Sequence, residues 1–280
     1  MNYRHAYHAG NFADVLKHVT LVAALDHLGR KPAPYFYMDS HAGRGNYLLA
    51  AAETQRAAEY RDGIVRLLDA TGAPPAAGRY LDLVRDLGSE DGHLIAYPGS
   101  PRIALALLRG GDRAALCELE PREADALRAL VRGDPRAQVH ERDGYEALPA
   151  LLPPREKRGL VLIDPPYEAA DEFERLAAAL VLAHARWPTG VYAAWYPIKA
   201  GAADGRFLAR MVASGVRHQL VAELTVERDD SPGGLNGAGM LIINPPWQLD
   251  QRLAPALPWL HAKLAAPGRG RWRVSWLVPE

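Results

Sequence analysis

The chain has 280 residues, 49% of them hydrophobic and 24% charged, which is the composition of a globular protein with a sizeable core. Its 33 acidic and 33 basic residues balance, so any phosphate-binding surface must be a local patch. The only cysteine is Cys117, which excludes an internal disulfide and a metal cage built from several cysteines.

The start of the chain and the distribution of apolar residues indicate in which cellular compartment the protein is found. The first residues, "MNYRHAYHAGNFADVLKH", contain no apolar segment of the secretory type. No apolar run approaches the roughly 20 residues that cross a bilayer, and a single cysteine suits a reducing compartment. We therefore expect a cytoplasmic protein without membrane association.

Helices and strands are predicted to alternate along most of the chain. The apolar spacing predicts a first helix over 12–28, followed by a short aromatic strand at 34–40. Further helices are predicted near 54–70, 76–88, 101–109, 121–132, 144–151, 171–186, 203–213 and 250–265. Further strands are predicted near 113–118, 137–141, 159–163, 190–195, 217–226, 238–243 and 271–278. This alternation predicts an α/β fold with an open, mostly parallel sheet and helices on both faces.

The connection between the first two of these strands is long. It contains two predicted helices, and we interpret residues 46–97 as a small helical insertion that follows a glycine turn. The segment richest in Gly, Pro and Ala, residues 70–78, joins two helices rather than two domains. We therefore predict a single domain over residues 1–280.

The glycine turn "DSHAGRGN" directly follows the first strand and contains Asp39, His41, Gly43 and Gly45. In open α/β sheets, ligands bind beyond the carboxyl ends of the strands, near such a turn. Glycines allow the backbone to approach a ligand closely. The third glycine of the dinucleotide fingerprint is absent, so the turn alone is equally compatible with a plain connection to a helix.

The next two strands also end in acidic residues. Glu118 is placed to accept both hydroxyls of a ribose, although an acid near a helix start is also an ordinary solvated group. Asp143 and Gly144 offer a carboxylate and a bare backbone amide to an adenine edge, although Asp143 equally suits a helix N-cap. Three successive strand ends with such residues favour a nucleotide-like ligand.

The fourth strand runs into "DPPY", residues 164–167. Proline cannot extend a strand, so the run stops there. The motif resembles the D/N-PP-Y/F/W motif of methyltransferases that act on exocyclic amines of bases. In that chemistry, if Asp164 and the Pro165 carbonyl each accept one N–H of the amine, the nitrogen lone pair can turn toward a methyl donor. Tyr167 is predicted to stack on the base, a contact worth roughly 1–3 kcal/mol. Asp164 is also placed to take the released proton.

A second copy of the pattern, "NPPW", contains Asn244 and Trp247. It follows two or three more strands and should lie farther along the sheet from the ligand site. We predict that this copy ends a strand and packs Trp247 as structure, with a role at the rim of the site left open.

The order of these strand ends resembles S-adenosyl-L-methionine-dependent methyltransferases that modify exocyclic amines. Motifs from the first residues to the last resemble one family more closely, the bacterial ribosomal RNA large subunit methyltransferase J family. They are "YRHAYHAGNFADVLKH", "HAGRGNY", "YPGSP", "LIDPPYE", "WYPI", "INPPW", "LPWLH" and "VSWLVPE". The resemblance implies a Rossmann-like class I methyltransferase sheet with a small helical subdomain, and formation of N6-methyladenosine in 23S ribosomal RNA. We infer no obligate protein partner.

The same resemblance implies particular residue roles. Cofactor contacts carry over to His18, His41, Ser100, Glu118, Asp143, Gly144 and Asp164. Asp164 is also implied as the proton acceptor, and Tyr3 as an N-terminal contact with the RNA. We expect the N-terminal segment to fold over the base, with His5 and Lys17 also contacting substrate. No metal is expected, because His5, His8 and His18 lack an obvious fourth ligand.

Several alternatives remain from the residues alone. The "DPPY" chemistry serves DNA adenine-N6 and cytosine-N4 methylation equally well, and only the family resemblance favours RNA. A nicotinamide-dependent oxidoreductase would use the glycine turn and Glu118 but has no need of "DPPY". A nonenzymatic RNA-binding module is disfavoured by the neutral net charge. The insertion contains four arginines that suit either RNA phosphates or a solvated helical face: Arg56, Arg61, Arg66 and Arg79.

Overall fold

A computed structural model describes residues 7–228, 231 and 234–280. The helices are α1 (Phe12–Gly29), α2 (Ala52–Ala57), α3 (Val65–Leu68), α4 (Pro75–Gly88), α5 (Ser100–Leu107), α6 (Pro121–Leu130), α7 (Gly144–Leu151), α8 (Glu172–Arg186), α9 (Ala203–Ala213) and α10 (Leu249–Leu264). The strands are β1 (Phe36–Asp39), β2 (Asn46–Leu48), β3 (Ser89–Glu90), β4 (His93–Leu94), β5 (Ala96–Pro98), β6 (Arg113–Glu118), β7 (Ala137–Glu141), β8 (Gly159–Ile163), β9 (Val191–Ile198), β10 (Gln219–Thr225), β11 (Gly237–Ile243) and β12 (Arg271–Val278).

Eight strands form one sheet in the order β12-β10-β11-β9-β8-β1-β6-β7. Within β7-β6-β1-β8-β9 each pair of neighbouring strands is parallel, whereas β11 is antiparallel to both β9 and β10. The edge strand β12 is antiparallel to β10. The predicted α/β fold with a mostly parallel sheet is confirmed.

Side chains alternate between two hydrophobic cores, one on each face of the sheet. In β1, Tyr37 belongs to the core formed with α1, α4, α5 and α10, whereas Phe36 and Met38 belong to the core formed with α7, α8 and α9. This is the two-residue period expected of a strand that is covered on both faces. None of the helices in the described ranges combines the length and apolarity that a bilayer span requires.

Helix α1 is buried on nearly all sides, because it packs against α4, α5, α10 and the sheet. Asn11 caps it: the side-chain oxygen accepts hydrogen bonds from the amides of Ala13 and Asp14. Two charged residues of this helix, Asp14 and Lys17, are buried with it. Since a buried charge is costly unless it is paired, both must find partners inside the protein.

The insertion contains less continuous helix than the sequence predicts. The single helix predicted near 54–70 is wrong: α2, a 3₁₀ turn at Glu59–Arg61 and α3 replace it. The break lies at Ala58, whose backbone is left-handed with φ of 52°. The insertion also contains the antiparallel pairs β2–β5 and β3–β4. Assignment of the chain to one domain with this insertion stays a prediction.

The arginines of the insertion differ in their surroundings. Arg66 pairs with Asp62, one helical turn before it, on the surface. The Arg61 guanidinium lies 5.8 Å from the centre of the Tyr60 ring. The pairing of Arg66 with an acid agrees with the interpretation of these arginines as part of a solvated helical face. Their contact with RNA phosphates stays a prediction.

Candidate active site

A cavity of about 400 Å³ opens at the carboxyl ends of β1, β6, β7 and β8. Because these strands are parallel neighbours, the residues that follow them meet at one edge of the sheet. Of the predicted site residues, the cavity is lined by Lys17, His41, Ser100, Glu118, Asp143, Gly144, Asp164 and Pro165. His18 and Tyr167 lie behind this lining, and Tyr3 and His5 lie outside the described residues.

The glycine turn and the end of β6 are joined by Glu118. One carboxylate oxygen accepts a hydrogen bond from the Gly43 amide at 2.8 Å, and the other accepts from the Glu120 amide at 2.8 Å. Gly43 has φ of 60°, a backbone conformation that favours glycine. Burial raises the pKa of Glu118. Because a carboxylate has about four acceptor positions, both oxygens can still accept a hydroxyl.

Asp143 caps α7, as one of the two sequence interpretations predicted. Its Oδ1 accepts from the amides of Tyr145 at 2.7 Å and Glu146 at 3.2 Å, while Oδ2 lies 3.7 Å from the Arg175 guanidinium. Its predicted contact with an adenine stays a prediction, and the cap does not exclude it. A Cβ on the adjacent Gly144 would lie 2.0 Å from the Ser40 carbonyl oxygen. Only glycine therefore allows α7 to begin this close to the end of β1.

His41 forms one wall of the same region. Its Nδ1 lies 2.8 Å from the Ser40 hydroxyl, and its ring meets the Tyr145 ring edge-on at 5.3 Å. Burial lowers the pKa of His41 to about 4, so the imidazole is neutral at physiological pH. A neutral imidazole against an aromatic ring is suited to contact an uncharged heterocycle.

Asp39 supports the cavity from beneath. It is fully buried, and its Oδ2 accepts hydrogen bonds from the hydroxyls of Tyr37 and Ser100, each at 2.7 Å. Burial raises the pKa of Asp39. The carboxyl thereby orients the hydroxyl of Ser100. Nothing in the separation of Asp39 and Ser100 along the chain predicts this pairing.

Lys17 connects α1 to the "DPPY" segment. Its Nζ lies 2.6 Å from Oδ2 of Asp164 and 2.7 Å from Oδ1 of Asp14. Burial acts to lower the pKa of Lys17, but the two carboxylates outweigh it and raise the pKa well above its ordinary value. Lys17 is therefore a buried cation held between two acids. The role of Asp14 was not predicted; an acid three residues before Lys17 on an apolar helix is its only sequence signal.

Two predicted site residues, His18 and Tyr167, lie behind the residues that line the cavity. The Nδ1 of His18 lies 2.6 Å from the Tyr97 hydroxyl, which in turn lies 3.0 Å from the Tyr80 hydroxyl. The Tyr167 hydroxyl donates to the Trp195 carbonyl at 2.7 Å, and the Tyr167 ring packs against Phe173 and Trp195. Cofactor contact by His18 and base stacking by Tyr167 stay predictions.

The second proline pair lies at the opposite ends of the strands from the cavity. Because β11 runs against β9, it ends beside the start of β9, where the Asn244 side chain donates to the carbonyls of Pro188 and Gly190, each at 2.8 Å. The direction of β11 removes this copy from the rim of the cavity. The prediction that Trp247 packs as structure is wrong, since its side chain is 74% exposed.

Comparison with known proteins agrees with this arrangement. A family model described as "Ribosomal RNA large subunit methyltransferase D, RlmJ" matches residues 32–278. The ribosomal RNA large subunit methyltransferases J of Escherichia coli K12 and Haemophilus influenzae Rd are each 41% identical to the chain over 280 residues, covering 100% of both chains in each comparison. The chain belongs to this family.

A solved structure is also similar to the chain over nearly its whole length. A crystal structure of a Legionella pneumophila protein is 35% identical, with a TM-score of 0.88, and the match covers 96% of this chain and 98% of that one. As a member of the RlmJ family, the chain is a methyltransferase. That membership decides against the oxidoreductase and the nonenzymatic RNA-binding module.

Proposed function

We propose that the protein methylates the exocyclic N6 amine of an adenosine in 23S ribosomal RNA, with S-adenosylmethionine as methyl donor. One observation carries the proposal: Asp164 and Pro165 border the same cavity as Glu118 and Asp143. An amine-binding segment thus lies beside acceptors that suit a nucleoside. The names of the RlmJ-family relatives support ribosomal RNA as the substrate.

The cavity fits the proposed cofactor in size and in chemistry. A volume of about 400 Å³ falls in the range of small-molecule sites. We assign the ribose hydroxyls to Glu118, the adenine to Asp143, Gly144 and the neutral His41, and a polar contact to the Ser100 hydroxyl. S-adenosylmethionine supplies a methyl group on a positively charged sulfur. We also propose His18 as a cofactor contact; its Nδ1 lies 2.6 Å from the Tyr97 hydroxyl.

Asp164 and Pro165 prepare the acceptor amine. The Lys17 ammonium engages one side of the Asp164 carboxylate, and the remaining acceptor positions can take an amine N–H. A second N–H would go to the Pro165 carbonyl, which would turn the nitrogen lone pair out of the plane of the base and toward the methyl donor. Holding the reacting atoms in line supplies a large part of the rate enhancement. Asp164 then accepts the amine proton, directly or through water.

The remaining assignments concern the setting of the reaction. We assign the protein to the cytoplasm, where ribosomal RNA is made, and require no obligate protein partner. Tyr3 and His5 are proposed as contacts to the RNA. Tyr167 is proposed to stack on the base, with its ring packed against those of Phe173 and Trp195.

Transfer of a tritiated methyl group tests the proposed function. Purified protein is incubated with tritiated S-adenosylmethionine and one of three acceptors: unmethylated 23S RNA, DNA of matched sequence, or none. The labelled nucleoside is then identified after digestion. Asp164→Ala serves as the control for every acceptor, with cofactor binding measured by calorimetry.

We expect label only in N6-methyladenosine of RNA, and none with Asp164→Ala. Label in DNA alone would overturn the substrate. Label in a different RNA nucleoside would overturn the assigned base. Cofactor binding without label in RNA, in both free and ribosome-assembled form, would overturn the proposed function.

A further inference from the structure

The chain just before α1 is attached to the insertion through Glu59. One oxygen of the Glu59 carboxylate lies 2.9 Å from Nδ1 of His8, and the other accepts from Nδ2 of Asn11 at 2.9 Å. The Ile64 amide also donates to the Gly10 carbonyl at 2.8 Å. A Cβ on Gly63 would lie 2.0 Å from that carbonyl oxygen, so the two segments are in close backbone contact.

Glu59 also determines which end of the Asn11 amide faces the helix. Because the carboxylate accepts from Nδ2, Oδ1 of Asn11 is directed at the amides of Ala13 and Asp14, which it caps. A carboxylate cannot donate, so the reverse orientation would lose this hydrogen bond and the cap together. Glu59 therefore fixes the first turn of α1.

A short series of contacts leads from that first turn to Asp164. Oδ2 of Asp14 accepts from the Gly10 amide at 2.9 Å, and Oδ1 of the same residue pairs with Lys17 at 2.7 Å. Lys17 in turn lies 2.6 Å from Asp164. Gly10, Asn11, Asp14 and Lys17 are buried, so a shift at residues 10–11 is transmitted to Lys17 rather than absorbed by solvent.

We propose that Glu59 is a positioning residue for methyl transfer: it holds the start of α1 so that Lys17 meets Asp164 in the reactive geometry. The insertion thereby contributes to the reaction from outside the cavity, since Glu59 is absent from the lining. This inference rests on the proposed function of Asp164. A misplacement of about 1 Å can reduce turnover by roughly 100-fold, so a positioning role has a measurable consequence.

Three variants and one matched control test the inference. Glu59→Ala removes both hydrogen bonds, and Glu59→Gln keeps an oxygen that can accept from Asn11. Asn11→Ser retains a capping side chain but loses the amide that Glu59 holds. Asp62→Ala is the control, because it breaks the Asp62–Arg66 ion pair of the same insertion without touching residues 8–11.

For each variant we would measure kcat and KM with RNA, the Kd of S-adenosylmethionine, the Tm and hydrogen exchange at the amides of Ala13 and Asp14. Glu59→Ala is expected to lower kcat at least about 10-fold with cofactor Kd within about 2-fold of wild type, and to speed exchange at both amides. Glu59→Gln should recover part of kcat. Asn11→Ser should lower kcat at little cost in Tm, which separates positioning from general instability.

Wild-type kcat in Glu59→Ala, or an equal loss in Asp62→Ala, would overturn the inference. Failure of the wild-type enzyme to methylate RNA would instead overturn the proposed function. Hydrogen exchange keeps the two failures distinguishable, because it reports the attachment of α1 without any turnover. Unchanged exchange in Glu59→Ala would by itself reject the role of Glu59 in fixing α1.

Discussion

Lys17 and Asp164 are 147 residues apart in the chain, and their side chains meet at 2.6 Å. The Lys17 side chain is 5% exposed and the Asp164 side chain 16% exposed, so water weakens the attraction between the two charges little. Asp14 supplies a second carboxylate on the other side of Lys17. Two acids next to one cavity are thus held together by a single buried cation.

Removal of this cation should damage both stability and turnover. Lys17→Met leaves Asp14 and Asp164 without their shared partner, and breaking a buried ion pair on one side costs about 3 kcal/mol or more. We expect chemical denaturation to show that loss, and RNA methylation to fall below detection. Lys263→Met, on the exposed side of α10, is the matched control and should behave as wild type. Wild-type turnover in Lys17→Met would contradict the assignment.

Two substitutions of Asp164 distinguish proton transfer from orientation. Asn retains an oxygen that can accept an amine N–H but is a poor base, whereas Ala removes both functions. If Asp164 takes the proton, both variants should lose at least about 100-fold in kcat. Single-turnover rates with saturating cofactor would measure this. Turnover by Asp164→Asn within about 10-fold of wild type would mean that the side chain only orients the amine.

The second proline pair should be dispensable for chemistry. Asn244→Ala loses two hydrogen bonds to the carbonyls of Pro188 and Gly190, and it also places alanine at φ of 51°, where asparagine is better tolerated. We expect a lower free energy of unfolding, by about 1–2 kcal/mol, with kcat per folded molecule unchanged. A selective loss of kcat at normal stability would show that the opposite ends of the strands take part in catalysis.

Gly144 should tolerate no side chain. Gly144→Ala forces a Cβ against the Ser40 carbonyl oxygen, so α7 must move away from the end of β1, at a cost of about 1–3 kcal/mol. We expect weaker cofactor binding by calorimetry together with a lower Tm. The control is Gly205→Ala in α9, where a Cβ meets no atom within 4 Å and should stabilise the helix slightly. Unchanged cofactor affinity in Gly144→Ala would contradict the proposed contact between the cofactor and Gly144.

The pair of His8 and Glu59 makes a small, pH-dependent contribution to stability. The hydrogen bond with Glu59 raises the pKa of His8 above 6.5, so the contribution is complete below about pH 6.5 and is lost as the pH rises through the folded pKa. Burial acts to raise the pKa of Glu59, but hydrogen bonds from His8 and Asn11 outweigh it and lower the pKa below 4.5. The stability contributed by the ionised Glu59 is therefore present above about pH 4.5 and is lost as the pH falls through the folded pKa of Glu59.

The Tm of wild type and His8→Gln, measured between about pH 4 and pH 9, checks this sign. We expect the largest difference near pH 5–6 and a smaller one at pH 8, with Asp14 supporting and Lys199 opposing the charge on His8. The His8 and Glu59 side chains are 41% and 37% exposed, so the corresponding difference in the free energy of unfolding should stay below about 1 kcal/mol. A difference that grows with rising pH would contradict the ion pair.

Much of the fold and the site follows from local patterns. Apolar periodicity depends only on neighbouring residues, which is why β6, β7, β8 and α7 begin and end where the sequence predicts. Proline stops a strand regardless of what surrounds it, so the end of β8 at "DPPY" is also local. The parallel order of these strands then brings Glu118, Asp143 and Asp164 to one edge, as predicted.

The rest depended on contacts between distant parts of the chain. Periodicity does not encode the direction of a strand, so only the antiparallel pairing of β11 with β9 shows that Asn244 lies at the opposite ends of the strands from the cavity. The packing of α1 also brings together residues that are far apart in the chain. Lys17 thereby meets Asp164, and Asn11 donates a hydrogen bond to Glu59. By itself the sequence determined most helices and strands outside the insertion and the residues at the strand ends, because both obey short-range rules. Tertiary structure alone decided which buried charges meet, because pairing depends on geometry that no local pattern contains.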